Sequence, residues 1–245
     1  MWTFLHKLGS PRHFYRISGR LLPWLAGMTV LLMAAGLYGG LVGAPPDYQQ
    51  GESYRIIFIH VPSAWMSLFI YMVMAAAGAV GLIWHIKLAD VMAAASAPLG
   101  ASFTFLALVT GSLWGKPMWG TYWVWDARLT SELVLLFLYF GVMGLHAAID
   151  DKRTASRAAA VLALVGAVNI PIIHYSVQWW STLHQGPTVS KIDAPSIHLS
   201  MLLPLLIMAL AFKLYYVTVL LLRARSEVLE RERASAWVRE LARGT

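Results

Sequence analysis

Residues 21–42 read Leu-Leu-Pro-Trp-Leu-Ala-Gly-Met-Thr-Val-Leu-Leu-Met-Ala-Ala-Gly-Leu-Tyr-Gly-Gly-Leu-Val, 22 residues without a charge. About 20 apolar residues are needed to cross a hydrocarbon core roughly 30 Å thick. Four basic residues, Lys7, Arg12, Arg16 and Arg20, precede the stretch, an arrangement shared with secretory signals. The apolar region of a signal spans only about 7–15 residues. This one is longer and predicts a first membrane helix.

Comparable runs recur to the end of the chain. They predict six transmembrane helices at about 21–42, 62–84, 93–113, 130–149, 158–177 and 199–222, an all-α polytopic membrane protein. Residues 1–245 form a single integral membrane domain in this reading, with 223–245 as a cytoplasmic tail. Composition agrees: the chain is 58% hydrophobic and 13% charged, and its mean hydropathy is +0.62. A soluble domain carries about a quarter charged residues. The lipid bilayer is therefore the first partner that the sequence implies.

The net charge of +7 does not point to nucleic acid. Its basic residues sit at the termini and in alternate loops, with no basic face interleaved with aromatics. Lys and Arg are biased toward cytoplasmic loops. The N-terminus, residues 85–92 and 150–157, and the tail together hold fourteen of them. The opposite connections hold four, Arg55, Lys116, Arg128 and Lys191. Both termini are expected in the cytoplasm, with 43–61, 114–129 and 178–198 facing outward.

Those outer connections carry the unusual chemistry. The segment Trp114-Gly-Lys-Pro-Met-Trp-Gly-Thr-Tyr-Trp-Val-Trp-Asp-Ala-Arg128 has four tryptophans, Trp114, Trp119, Trp123 and Trp125, followed by an acid and a base. An aromatic belt explains scattered tryptophans at headgroup depth, not four in one connection. On an interfacial helix, Trp119 and Trp123 would share a face at i, i+4 and form a flat apolar platform. A porphyrin buries well against such a surface. Its propionates would need cations such as Arg128, Lys116 or Arg55. Asp126 has a second, structural reading, pairing with Arg128 or capping the helix entered at Thr130.

Iron needs axial ligands, and neutral imidazole is the commonest from protein. His60 stands in Ile-His-Val-Pro just before the second predicted helix, with Pro62 near its first turn. His184 stands in Trp-Trp-Ser-Thr-Leu-His-Gln-Gly of the last outer connection. Both are candidate iron ligands. His174, inside the fifth predicted helix, is a candidate supporting residue, and His198, at the start of the sixth, a reserve ligand. The eleven methionines read as packing. Glu132 is explained by the helix dipole alone.

The Trp-rich string resembles the "WWD" signature of haem-handling proteins. Across nearly its whole length the chain resembles the CcmC family of bacterial cytochrome c maturation. The resemblance rests also on His-Val-Pro before the second helix and on Ile-Ile-His-Tyr-Ser-Val-x-Trp-Trp-x-Thr-Leu-His-Gln-Gly after the fifth. It implies His60 and His184 as axial haem ligands and the Trp-rich segment as the haem platform; the expected site of haem b is thus Trp114, Trp119, Trp123, Trp125, Asp126 and Arg128, joined by Arg55 as a candidate propionate cation. It implies an inner-membrane complex with CcmA, CcmB and CcmD, and delivery to a periplasmic CcmE-like haem chaperone. The chain has no cysteine, so covalent attachment through C-x-x-C-H is excluded. Haem would be held noncovalently.

The expected role is a haem-presenting scaffold, not an enzyme, whose only chemistry would be lyase-like assistance to chaperone attachment. A haem-translocating permease subunit of an ABC exporter is the alternative. A permease calls for polar groups at mid-depth, and mid-helix positions read as nearly all apolar, Asn169 being the main exception. A b-type electron-transfer subunit would place facing histidine pairs inside the bundle, not at its outer ends.

Overall fold

The computed structural model describes residues 10–243 apart from 181, 185, 187–188 and 190–193. Lys7 and Lys191, which enter the charge asymmetry, lie outside this set. All regular structure among the described residues is helical, with six spans long and apolar enough to cross a membrane. The spans match the six hydropathy segments in order. Their ends differ, for local reasons.

Helix α1 runs Pro11–Tyr38, with Pro11 in its first turn, and closes in a π-helical turn, Gly39–Gly43. It begins ten residues before the apolar stretch because Arg12–Arg20 is polar but helix-competent. A short 3₁₀ turn, Glu52–Ile56, leads into α2, Ile57–Trp84. His60 therefore lies within the first turn of α2, not ahead of it. Pro62 sits inside the helix, where it gives up one backbone hydrogen bond.

Helix α3, Lys87–Trp119, is longer than expected at both ends. It stops at Gly120, whose φ of 75° is left-handed, a conformation open to glycine without steric cost. Trp119 is thus the last helical residue, and 120–126 has no helical structure. The interfacial helix that would stack Trp119 above Trp123 is not formed.

Helix α4, Ala127–Ala148, is capped by Asp126, whose Oδ1 accepts the Leu129 N–H at 2.8 Å. The fifth span is two helices, α5 (Lys152–Gly166) and α6 (Asn169–Trp179). Pro171 cannot coexist with a regular turn at residue 167, four positions back, and the chain breaks at Ala167–Val168. Helix α7, Leu199–Arg231, continues nine residues into the expected tail, and α8, Ala236–Arg243, follows it. α8 folds back on the start of α1: Trp237 lies 5.8 Å from the Tyr15 ring, and Glu240 pairs with Arg12 at 3.8 Å.

α1 packs along α7, and α2 lies along α3, α5 and α7. Lipid is as apolar as leucine, so helices in a bilayer associate through close packing and hydrogen bonds. α5 turns Ala155, Ala159, Ala160 and Ala163 inward, and Ala160 meets α2 at Gly78. Tyr71, Tyr139, Leu135, Ile173, Leu205 and Met208 fill the centre and are almost wholly inaccessible. α4 contacts α3, α5 and α6, which brings the Asp126 end of α4 beside the C-terminal end of α3.

Candidate functional site

His60 projects from α2 onto α3. Its Nδ1 lies 3.1 Å from the Ala107 carbonyl and 3.1 Å from Thr110 Oγ1. A carbonyl only accepts, so the imidazole proton belongs on Nδ1 and the lone pair on Nε2. Gly111 provides the space: a Cβ there would stand 2.9 Å from His60 Cε1. On its other side the ring meets Trp114 edge-on, centroids 5.6 Å apart. Trp114 is tied in turn to the connection between α1 and α2, through Nε1 donating to Gln50 Oε1 at 3.0 Å and an edge contact with Tyr54.

His184 is held in the same manner by a different acceptor. Its Nδ1 lies 3.3 Å from Asp126 Oδ2. Thr182 bridges the pair, its hydroxyl donating to the same carboxylate oxygen while accepting the His184 backbone N–H at 3.2 Å. The ring of Trp119 stands 4.8 Å from the His184 ring. Burial works to raise the Asp126 carboxyl, but the Thr182 hydroxyl, the Leu129 N–H and neighbouring His184 hold it below the usual range. Burial lowers the pKa of His184, and the Asp126 charge only partly offsets this. Both directions favour a carboxylate facing a neutral imidazole, again with the proton on Nδ1 and the lone pair on Nε2.

Arg128 interacts electrostatically with both histidines. It does not pair with Asp126; its Nη1 donates to the Ile173 carbonyl of α6 at 3.3 Å. The other expected cations are spent differently. Arg55 donates to the Gly40 and Ala44 carbonyls at 3.1 and 2.7 Å and pairs with Glu52, closing the turn after α1. Lys116 donates to the Gly120 carbonyl at 3.0 Å and lies over the Tyr122 ring.

The four tryptophans of the signature do not form one flat sheet. Trp114 and Trp119, a turn and a half apart at the end of α3, each touch one of the two histidines. Trp123 and Trp125 stand edge-to-face at 5.4 Å. Trp125 is 75% exposed, whereas the indole nitrogen of Trp123 is buried without a partner among the described residues.

His174 is exposed on α6, edge-on to Tyr175, and His198 caps α7 through Ser200; neither joins the group. Reading by residue type missed Thr182, the Thr110–Gly111 seat and Glu132. Glu132 is only 8% exposed and accepts from Ser67 Oγ at 2.6 Å, so the bundle interior is not as apolar as its sequence suggests. Two imidazoles with Nδ1 tied back, indole edges and a guanidinium are a donor set that suits a porphyrin iron. Among the described residues no group of three or more His, Asp or Glu side chains forms a site for a bare metal ion.

The family model described as "CcmC: Heme exporter protein C" matches residues 4–239. The chain is 54% identical over 239 residues to heme exporter protein C of Bradyrhizobium diazoefficiens, covering 98% of this chain and 90% of that protein. It is 54% identical over 241 residues to the Escherichia coli protein of the same name, covering 98% and 97%. It is also similar to a putative cytochrome c biosynthesis ccmC-like mitochondrial protein of Marchantia polymorpha, at 45% over 202 residues, covering 82% and 86%.

Proposed function

Because this chain belongs to the CcmC family of heme exporter protein C, we propose that it holds noncovalent haem b between His60 and His184 for delivery to a haem chaperone. The observation that carries this reading is the matched pair of Nδ1 anchors, Ala107 carbonyl for His60 and Asp126 carboxylate for His184. Such partners fix the tautomer and orientation of an imidazole ligand and raise its basicity. Bound haem supplies the iron and the vinyl groups that a chaperone side chain would capture. The protein's part is to orient and release it.

Arg128 is the cation placed for a propionate, and Trp119 and Trp123 supply apolar area beside it. The site faces the periplasm and the six spans lie in the bacterial inner membrane; the fourteen-to-four charge asymmetry supports this orientation. The recipient is a CcmE-like chaperone, and CcmA-, CcmB- and CcmD-like subunits complete the assembly. The family's description as an exporter supports assembly with a transporter and accords with a scaffold role.

The deciding experiment is an absorption spectrum of the purified protein with and without His60→Gly and His184→Gly. The wild type is expected to carry low-spin, six-coordinate haem that acidified organic solvent extracts completely. Each variant is expected to lose it, with added imidazole partly restoring the low-spin form. Pigment left on the polypeptide, or low-spin haem in both variants, overturns the assignment.

A further inference from the structure

The two histidines belong to different parts of the fold. His60 is on α2, while His184 hangs from Asp126 at the head of α4. The distance between them therefore depends in part on how α2 is locked to α4, two helices that both pack on α3. Ser67 provides that lock. Its hydroxyl donates to Glu132 Oε1 at 2.6 Å, and its carbonyl accepts from Tyr139 Oη at 2.7 Å. α4 thus grips one residue of α2 at two points. Ser67 and Tyr139 are fully buried and Glu132 nearly so.

Seven residues separate His60 from Ser67, two helical turns to within about 20°, so both occupy one side of α2, His60 against α3 and Ser67 against Glu132 and Tyr139 of α4. At 1.5 Å per residue Ser67 lies about 10 Å below His60, and Glu132 lies about 9 Å below Asp126. The lock therefore meets both helices at the same depth under the site. α3 closes the frame. Gly111 seats the His60 ring, and Gly100, eleven residues and about three turns earlier on the same face, seats Tyr139: a Cβ at Gly100 would fall 2.1 Å from the Tyr139 ring. A buried ionisable residue inside a membrane span is costly and calls for a reason.

We propose that Glu132 and Tyr139 are positioning residues that set the separation of the two axial imidazoles by clamping Ser67. The proposal rests on the reading of His60 and His184 given above. Neither residue touches haem; each acts through the height and spacing of the helices that carry the ligands.

The test compares Glu132→Leu, Glu132→Gln, Tyr139→Phe and Tyr216→Phe in purified, haem-loaded protein, reading spin state by absorption and paramagnetic resonance together with the rate of haem loss to an external acceptor. Tyr216→Phe is the control, because it removes an equally buried hydrogen bond, 2.9 Å to Ser96, that joins α7 to α3 outside the frame. Glu132→Leu and Tyr139→Phe are expected to show a high-spin fraction and severalfold faster haem loss. Glu132→Gln, which keeps Oε1, and Tyr216→Phe are expected to match the wild type. Should Glu132→Leu fail to accumulate, Tyr139→Phe carries the same test. Unchanged spectra and loss rates in a low-spin background overturn this inference alone, and so does an equal shift in Tyr216→Phe. A wild type without low-spin haem overturns the ligand reading, and this inference with it.

Discussion

Asp126 Oδ2 faces His184 Nδ1 at 3.3 Å, while Oδ1 of the same carboxylate accepts the Leu129 N–H at 2.8 Å. One side chain thus starts α4 and orients an imidazole on a separate connection. The two readings that the sequence left open for Asp126, helix cap and site residue, describe one group.

The two roles separate by substitution. Asp126→Asn keeps a good cap and is expected to melt within a few tenths of a kcal/mol of wild type, whereas Asp126→Ala loses about 1 kcal/mol. Both remove the charged partner of His184, and both should weaken haem retention by about 10–100-fold. Thermal melts alongside haem titration check this. Equal haem affinity in Asp126→Asn and wild type counts against orientation by charge.

Gly111→Ala probes the seat of His60. The added Cβ meets His60 Cε1 at 2.9 Å, and the ring is fixed by Ala107 and Trp114, so the clash falls on a group that cannot swing aside. Overpacking of this kind costs about 1–3 kcal/mol. The expected outcome is loss of six-coordinate haem with the protein still inserted. Gly27→Ala, where nothing lies within 4 Å, should leave the spectrum unchanged.

Trp119 and Trp125 are expected to differ. Trp119 contacts the His184 ring and Trp125 is 75% exposed. Trp119→Ala removes an aromatic contact worth about 0.5–1.5 kcal/mol and frees His184, giving five-coordinate haem. Trp125→Ala should reduce retention without changing spin state. Absorption spectra of both variants at matched loading decide. Identical behaviour would return the tryptophans to a uniform platform.

Orientation is open to direct measurement, since the chain has no native thiol. Single cysteines at Tyr48 and Tyr122, 90% and 55% exposed, are expected to react with an impermeant maleimide in intact spheroplasts. Cysteines at Asp150 and Ala234 should react only after lysis. The reverse labelling would put the histidine site in the cytoplasm.

Hydropathy finds the six spans because lipid demands an apolar surface along each one. It does not find their ends, because Lys87–Met92 and Arg223–Arg231 continue a helix with polar residues that hydropathy cannot see. The stacked Trp119 and Trp123 required a helix through Gly120. A Lys in the last turn followed by Gly is a C-cap signature, so that break was readable. His60, His184 and Asp126 stood out by type. Their partners did not: a backbone carbonyl such as that of Ala107 has no sequence signature. The contacts also span 47 residues for His60–Ala107, 58 for His184–Asp126 and 65 for Ser67–Glu132. Glu132 looked sufficiently explained by its place in the first turn of a helix; only the fold buries it against Ser67.

Helix α3 has 33 residues and at 1.5 Å each is about 50 Å long, some 20 Å more than the hydrocarbon it crosses. With the span expected at 93–113, the surplus at the C-terminal end is the turns that carry Trp114 and Trp119, which would raise the tryptophans touching the two histidines toward the headgroups. A group held at lipid depth is met only by partners diffusing in the plane of the membrane. A group raised on a stalk is met by collision from bulk water, and a soluble domain can reach it without inserting any segment of its own.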